Sequence, residues 1–472
     1  MNRRQFNTST LAVIPLGIVA GAARSVDAGL RNPQPASGGK GWPFASPAAA
    51  SIPSTYMMEE FIVGGEARRY VADGTNATPT SGLWETRYGD VAPYVTRVYV
   101  VRPKDAADFN GVAVVNWQNV TAGFDIGAPI NPEIFRGYAW VGLTTQKIGV
   151  DGNPGLTKGL REWDPERYAT LSHPGDAWSY DMFTQIGRTL KTASSAREIL
   201  LGNLVPETVV ATGGSQSAMR LGSYINAAHA HERVYDGFHL TVHWGICPPL
   251  DEVPLMAMFT AIDEQLTGYH CQIRDDLNVP IMVVATECES RFNYPARQAD
   301  TDSFRFWEVA GASHQSPART ALLQAVMQRD GIDLVALAPV SDRNSVEWGY
   351  VDAAALRAVV KWAQHRILPA TIPRISMDGN TAGSFSRDQQ GNVLGGVRVP
   401  ELEAPVASYR GERGDLSDPA WLQGVTEPFS REKVAKLYPQ GRDRLWQEAV
   451  DRLAEKGAVL AEDESALRSR MV

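Results

Sequence analysis

From Thr208 to His231 the chain reads TVVATGGSQSAMRLGSYINAAHAH. A β-branched run meets a glycine pair, then Ser215, then apolar residues at helical spacing. This pattern predicts a strand, a very tight turn and a helix start. It is one position away from G-x-S-x-G, with Ser217 in place of the last glycine. Small residues are needed there because the serine must occupy a strained backbone position for its hydroxyl to project above the strand. The N–H of Gln216, in the first helical turn, can then face a developing oxyanion. Ala218 and Gly222, four apart, give the helix a thin face toward the strand. The plain alternative is an ordinary strand-turn-helix with a capping serine.

The rest of the chain supplies a context for such a turn. Strands are expected at Tyr56 to Val63, Ala67 to Val71 and Tyr94 to Arg102, as an antiparallel entry to a sheet. Gly111 to Trp117 and Tyr138 to Thr144 are continuous apolar runs of the kind that fill buried parallel strands. Further strands are expected at Tyr235 to Trp244, Val279 to Ala285 and Ser303 to Val309. Helices are expected at Ala177 to Leu201, Pro317 to Arg329 and Ala353 to His365. Strands alternating with helices predict an α/β fold around a mostly parallel sheet with right-handed crossovers. Hydrophobic residues make up 44% and charged residues 21% of the chain, and the net charge is −8, so no basic footprint for nucleic acid is present.

Both termini read as additions to this unit. Arg3 and Arg4 precede an apolar stretch from Leu11 to Ala23 and small residues at Val26 to Ala28. Residues 1–28 are therefore expected to be a twin-arginine export signal, with Pro15 and Gly17 making the stretch a poor membrane span. The mature protein is then periplasmic or secreted, without a stable membrane span. Residues 29–55, rich in Pro, Gly, Ala and Ser, read as a linker or extended arm. The main unit spans 56–370, with a cap-like insertion at 246–278, and 371–472 reads as a C-terminal appendage. Of the three cysteines, Cys247 and Cys271 flank the insertion and are expected to pair, the alternative being three buried free thiols. No cysteine spacing resembles a zinc site.

Serine attack needs a base for the hydroxyl proton, and the base needs a carboxylate to orient it. Thr286-Glu287-Cys288-Glu289 stands just past one buried strand, and His314 just past the next. All three groups are thus expected at the carboxyl edge of the sheet, where ligands bind in open α/β folds. The acid is expected to be Glu289 or Glu287; Glu289, three positions after Thr286, has the spacing typical of α/β-hydrolases and is favoured, with Glu287 as the runner-up. Asn119 or Val120, in the loop after Trp117, supplies the second oxyanion N–H. Trp117, Phe124, His243 and Trp244 are candidates for the substrate pocket. His239 and His243, four apart on one strand, share a face and form a conceivable metal pair, but no third ligand follows at suitable spacing. No metal or organic cofactor is called for.

The segments NWQNVTAG, TTQKIGV, GGSQSAMRLGSYINA, DGFHLTVHWG, VPIMVVATECES and FRFWEVAGASH resemble a bacterial α/β-hydrolase family, Abhydrolase 10. The resemblance continues through RDQQGNVLGGVRVPELEAPVASYRG and PFSREKVAKLYP, so it covers nearly everything after residue 55. It implies an α/β-hydrolase fold, a serine nucleophile at Ser215, His314 as base and Glu287 or Glu289 as acid. It also implies that the C-terminal appendage packs on the core. The expected activity is cleavage of a small-molecule carboxylic ester, or of a lactone by the same machinery. A lyase or a non-catalytic binding protein on this fold is the rival from outside hydrolysis. The oligomeric state is left open.

Overall fold

The computed structural model describes residues 30–126, 131–155, 157–251, 266–332, 340–378, 384–414 and 420–471. The expected export signal and residues 252–265 of the insertion lie outside the described residues. A nine-stranded sheet runs through the molecule. Its strands, in chain order, are β1 (Arg31–Pro35), β2 (Tyr56–Ala72), β3 (Thr86–Pro103), β4 (Val112–Trp117), β5 (Ala139–Leu143), β6 (Thr208–Gly214), β7 (Gly237–Thr241), β8 (Ile281–Thr286) and β9 (Phe304–Val309). Across the sheet they stand β1-β2-β3-β5-β4-β6-β7-β8-β9. Strands β1 to β3 pair antiparallel and β3 meets β5 antiparallel, while every pairing from β5 to β9 is parallel. This is the mostly parallel α/β sheet that the strand pattern predicts, with the antiparallel entry at β1 to β3, and it agrees with the α/β-hydrolase fold that the resemblance implies.

Helices cover both faces, as an all-parallel core requires. Alternate residues of β6 part to the two sides: Val209 and Ala211 join Tyr180, Phe183 and Ile186 of α1 (Ser179–Lys191) and Leu221 of α2 (Gln216–Tyr224). Val210 joins Val351, Leu356 and Val359 of α3 (Gly349–His365) on the other face. The helix expected over Ala177 to Leu201 is broken, because Ser194 accepts a hydrogen bond from Arg197 N and starts a second helix. The strand expected to reach Trp244 ends at Thr241, where Val242 turns to a φ of 49°.

Residues 29–55 are more than a linker. β1 pairs with β2 as the edge strand, and Phe44 is buried against Trp163, with ring centroids 4.6 Å apart. The C-terminal segment closes the opposite edge. Val397 N donates to Glu308 O at 2.7 Å and Ala310 N donates to Val397 O at 3.1 Å, so the backbone groups along β9 find partners. Val399, Leu402, Tyr409, Trp446 and Leu453 then share one apolar cluster with Trp307 and Val309. The three cysteines are free thiols. The expected Cys247–Cys271 bridge is absent, although both sulfurs lie 3.5 Å from Asn226 Nδ2. Among the described residues no helix is long and apolar enough to cross a membrane.

His229 is buried among Tyr224 and Phe238, edge-on to the latter at 4.8 Å. Burial, with smaller contributions from Arg233 and Lys191, pulls its imidazole from 6.5 down to about 3. The unfolded chain therefore binds a proton that the folded chain refuses. Stability from the neutral ring is complete above pH 6.5 and is lost as pH falls toward 3. In urea unfolding at stepped pH, wild type should lose ground to His229→Phe by about 1.4 kcal/mol per pH unit across that window.

Candidate active site at the carboxyl edge of the sheet

Ser215 follows the last residue of β6 with φ 58° and ψ −123°, a left-handed conformation that a side chain rarely adopts. Such backbone costs on the order of 1–3 kcal/mol and persists only where its surroundings fix it. Three contacts fix it here. Ser215 N donates to Thr241 O at the end of neighbouring β7, 2.9 Å away. Ser217 Oγ accepts from Gly214 N and donates to Gly214 O, both at 2.9 Å. The serine that replaces the usual last glycine thus pins the turn from inside. Gly213 leaves no room for a Cβ, which would sit 2.9 Å from the backbone of Ser217.

Glu289 and His314 are brought together. His314 Nδ1 and Glu289 Oε1 are 2.6 Å apart, and both side chains are buried. The local sequence explains why Glu289 faces this way. Thr286 is the N-cap of α4 (Glu287–Asn293), and Glu289 is its third residue, which makes a capping box. Glu289 Oε2 accepts from Thr286 N at 2.9 Å and from Thr286 Oγ1 at 2.6 Å, leaving Oε1 for the imidazole. Glu287 turns the other way and meets Arg387 at 2.7 Å. Burial holds the Glu287 carboxyl above the ordinary carboxylate range, with Arg387 opposing.

Ser215 stands at the same edge, but no hydrogen bond joins its Oγ to His314. The loop after β4 reaches the turn that carries Ser215 through side chains. Asn119 Nδ2 donates to Gly214 O at 2.8 Å, and Val120 N donates to Gln216 Oε1 at 3.3 Å. Gln216 Nε2 in turn donates to Gln146 Oε1, which also receives Trp117 Nε1. The backbone N–H of Gln216 lies in the first helical turn, where no intrahelical acceptor exists.

The four pocket candidates part company. Trp244 is at the site, its ring 5.9 Å from that of His314. Trp117 is fully buried against Tyr180 and Phe183. Phe124 packs 5.5 Å from Phe44, in a cluster with Trp163. His243 accepts from Gly245 N at 3.1 Å and faces a cavity of about 20 Å³ with Cys271 and Asn293, and burial lowers its imidazole to about 4. It does not share a face with His239. The backbone reverses at Val242, so His239 meets Asp352 at 3.1 Å while His243 packs near Gly222. The supposed metal pair is thereby divided.

Sequence reading missed the part the C-terminal segment plays. Trp421 stacks edge-on against Trp244 at 5.5 Å and lies 5.9 Å from Phe292, which makes an aromatic wall beside the imidazole. A Cβ on Gly411 would lie 2.6 Å from both Ala312 O and Cys288 N, so the C-terminal segment is pressed here against the backbones that carry His314 and Glu289. Trp348 Nε1 donates to Ser313 O at 3.0 Å, and Asn344 Nδ2 to Gly311 O at 2.7 Å.

The family model for the alpha/beta hydrolase domain Abhydrolase_10 matches residues 30–469. The chain belongs to this alpha/beta hydrolase family. The match takes in the C-terminal segment as well as the core. No curated protein matches the chain in sequence. Solved structures that the chain matches include esterase Est22, at 10% identity over 59% of this chain and 70% of that chain, TM-score 0.27. Another is oligopeptidase B from Leishmania major, at 12% over 59% and 36%, TM-score 0.28. A third is a lipase/esterase from Lactobacillus plantarum, at 11% over 56% and 88%, TM-score 0.26.

Gly411→Ala should force apart the two loops that it touches. We expect a loss of about 1–3 kcal/mol in stability, read as a lowered midpoint in thermal unfolding.

Proposed function

We propose that this chain is an exported serine hydrolase that cleaves carboxylic esters through an acyl-enzyme. The observation that carries the reading is the 2.6 Å bond from Glu289 to His314, at the sheet edge where Ser215 is held in a strained turn. Ser215 Oγ attacks the ester carbonyl and passes its proton to His314 Nε2. Glu289 holds the imidazole in the tautomer that leaves Nε2 free, and stabilises the imidazolium that forms. The backbone N–H groups of Gln216 and Asn119 receive the oxyanion. Val120 is the weaker candidate, because its N–H is already given to Gln216 Oε1. Each such donor supplies about 3 kcal/mol to the transition state. His314 then protonates the leaving alcohol, and water, activated by the same imidazole, clears the acyl group from Ser215. The reading requires Ser215 Oγ and His314 to close to hydrogen-bond distance when substrate is bound, as is usual where the free enzyme holds them apart.

A panel of p-nitrophenyl esters and lactones with the full chain tests this. Ser215→Ala should abolish turnover and labelling by a fluorophosphonate. Intact mass spectrometry should show a stoichiometric adduct on wild type alone. A lyase would turn over without any acyl-enzyme to trap. Glu289→Gln should lower kcat by about 10⁴. Glu287→Gln should instead cost about 3–5 kcal/mol of stability, by leaving the Arg387 charge unpaired, with a far smaller effect on kcat. The opposite ranking of the two glutamates would overturn the assignment of the acid.

A further inference from the structure

A cavity of about 60 Å³ lies beside the nucleophile turn, on the α3 side of the sheet. Gly214, which precedes Ser215, lines it, as does Asn119 from the adjoining loop. Apolar residues such as Val114, Trp140 and Leu356 line part of it, and the polar part is made by Asn116, Thr212, His239, Thr241, Asp352 and Arg319. Several of these groups lie in contact with one another. Asp352 Oδ1 accepts from Thr241 Oγ1 at 3.0 Å and lies 3.1 Å from His239 Nε2, while its Oδ2 accepts from Asn131 Nδ2 at 3.0 Å. The other nitrogen of His239 is 3.3 Å from Thr212 Oγ1.

Two groups are left over. Arg319, in the first turn of α5 (Pro317–Asp330), makes no ion pair and no side-chain hydrogen bond with any described residue, and its Nε is shut off from solvent. Its Nη2 lies 3.3 Å from where a Cβ on Gly214 would stand. Burial holds this guanidinium below the ordinary arginine range, and Asp352 and Glu289 offset that only in part. Asn116, paired in register with Thr212 across β4 and β6, likewise makes no side-chain hydrogen bond with a described residue. A cation and an amide, both without partners, thus face one small space next to the serine. Both side chains are half-buried, and a guanidinium without a protein partner gains most from a carboxylate, which its fork of N–H donors matches. The space is several times the roughly 10–15 Å³ that a single water needs, which is room for such a group.

We propose that this cavity is a carboxylate subsite, with Arg319 as the counter-ion and Asn116 as a second donor. The carboxylate is either carried by the substrate itself, making the preferred ester the half-ester of a dicarboxylic acid, or is a free small monocarboxylate. The first source rests on the hydrolase reading above. The second does not.

The test uses the full chain in two arms. In the first, acetate is titrated into wild type, Arg319→Lys and Arg319→Gln and followed by calorimetry, with acetamide as the uncharged control. Saturable acetate binding should appear in wild type. It should weaken by at least about tenfold in Arg319→Gln, be partly retained in Arg319→Lys, and be missing for acetamide. In the second, kcat/KM is compared for p-nitrophenyl half-esters of succinic, glutaric and adipic acid and for their methyl-capped counterparts. Wild type should favour at least one half-ester by at least about tenfold, and Arg319→Gln should bring that ratio near one. A ratio without acetate binding assigns the subsite to the substrate, and acetate binding without a ratio assigns it to a free anion. Asn116→Ala, which keeps the charge, should reduce either signal and guards against misfolding of the arginine variants. If no ester is turned over, the hydrolase reading fails and the acetate arm alone decides. Absence of both signals, or signals that survive Arg319→Gln, overturns the proposal.

Discussion

The backbone of Ser215 is the constraint on which this site turns. A serine at φ 58° is unfavourable in isolation, and it stays there because the sheet and the helix on either side leave it nowhere else to go. β6 delivers it, Thr241 O on the next strand takes its N–H, and Ser217 closes the turn onto Gly214. Each of those partners belongs to a rigid element. The strain is therefore stored in the fold, and the hydroxyl is set above the sheet edge before any ligand arrives.

The Glu289–His314 pair is held by a different logic. Neither residue sits on the element that carries Ser215: Glu289 is on α4 and His314 is on the loop after β9, so the two need support of their own. α4 supplies some of it through its capping box, which spends one carboxylate oxygen on its own helix and points the other at the imidazole. The C-terminal segment supplies the rest. It completes the edge of β9, presses Gly411 between the two loops and sets Trp421 against Trp244 beside the ring. The buried ion pair of Glu287 with Arg387 ties the same segment to α4. Such a pair contributes little net stability, but breaking one side of it is costly, so it fixes a geometry.

The polar cavity beneath the turn belongs to the same economy of partners. His239, Asp352, Thr241 and Thr212 lie in contact with one another, whereas Arg319 and Asn116 do not share in that network. Arg319, half-buried and paired with no described side chain, stands beside the turn that carries Ser215.

What was legible in the sequence were features whose physics is local. The elbow at Ser215 could be read because a β-branched run, two glycines and a helical pattern leave one way to turn. The parallel strands could be read because burial on both faces makes them continuously apolar. Glu289 was favoured over Glu287 by position, and the Thr286 capping box, visible in the same four residues, gives the reason. Tertiary structure decided what local pattern could not express. Residues 30–35 look like a flexible arm, yet they pair with β2 because an exposed strand edge was there to receive them. His239 and His243 share a face only if the strand continues, and it ends at Thr241. Trp421, Gly411 and Arg387 come to the imidazole and the acid helix from more than seventy residues away in the chain. No spacing rule reaches that far, because contacts at such separation are set by how whole layers pack and not by the residues on either side.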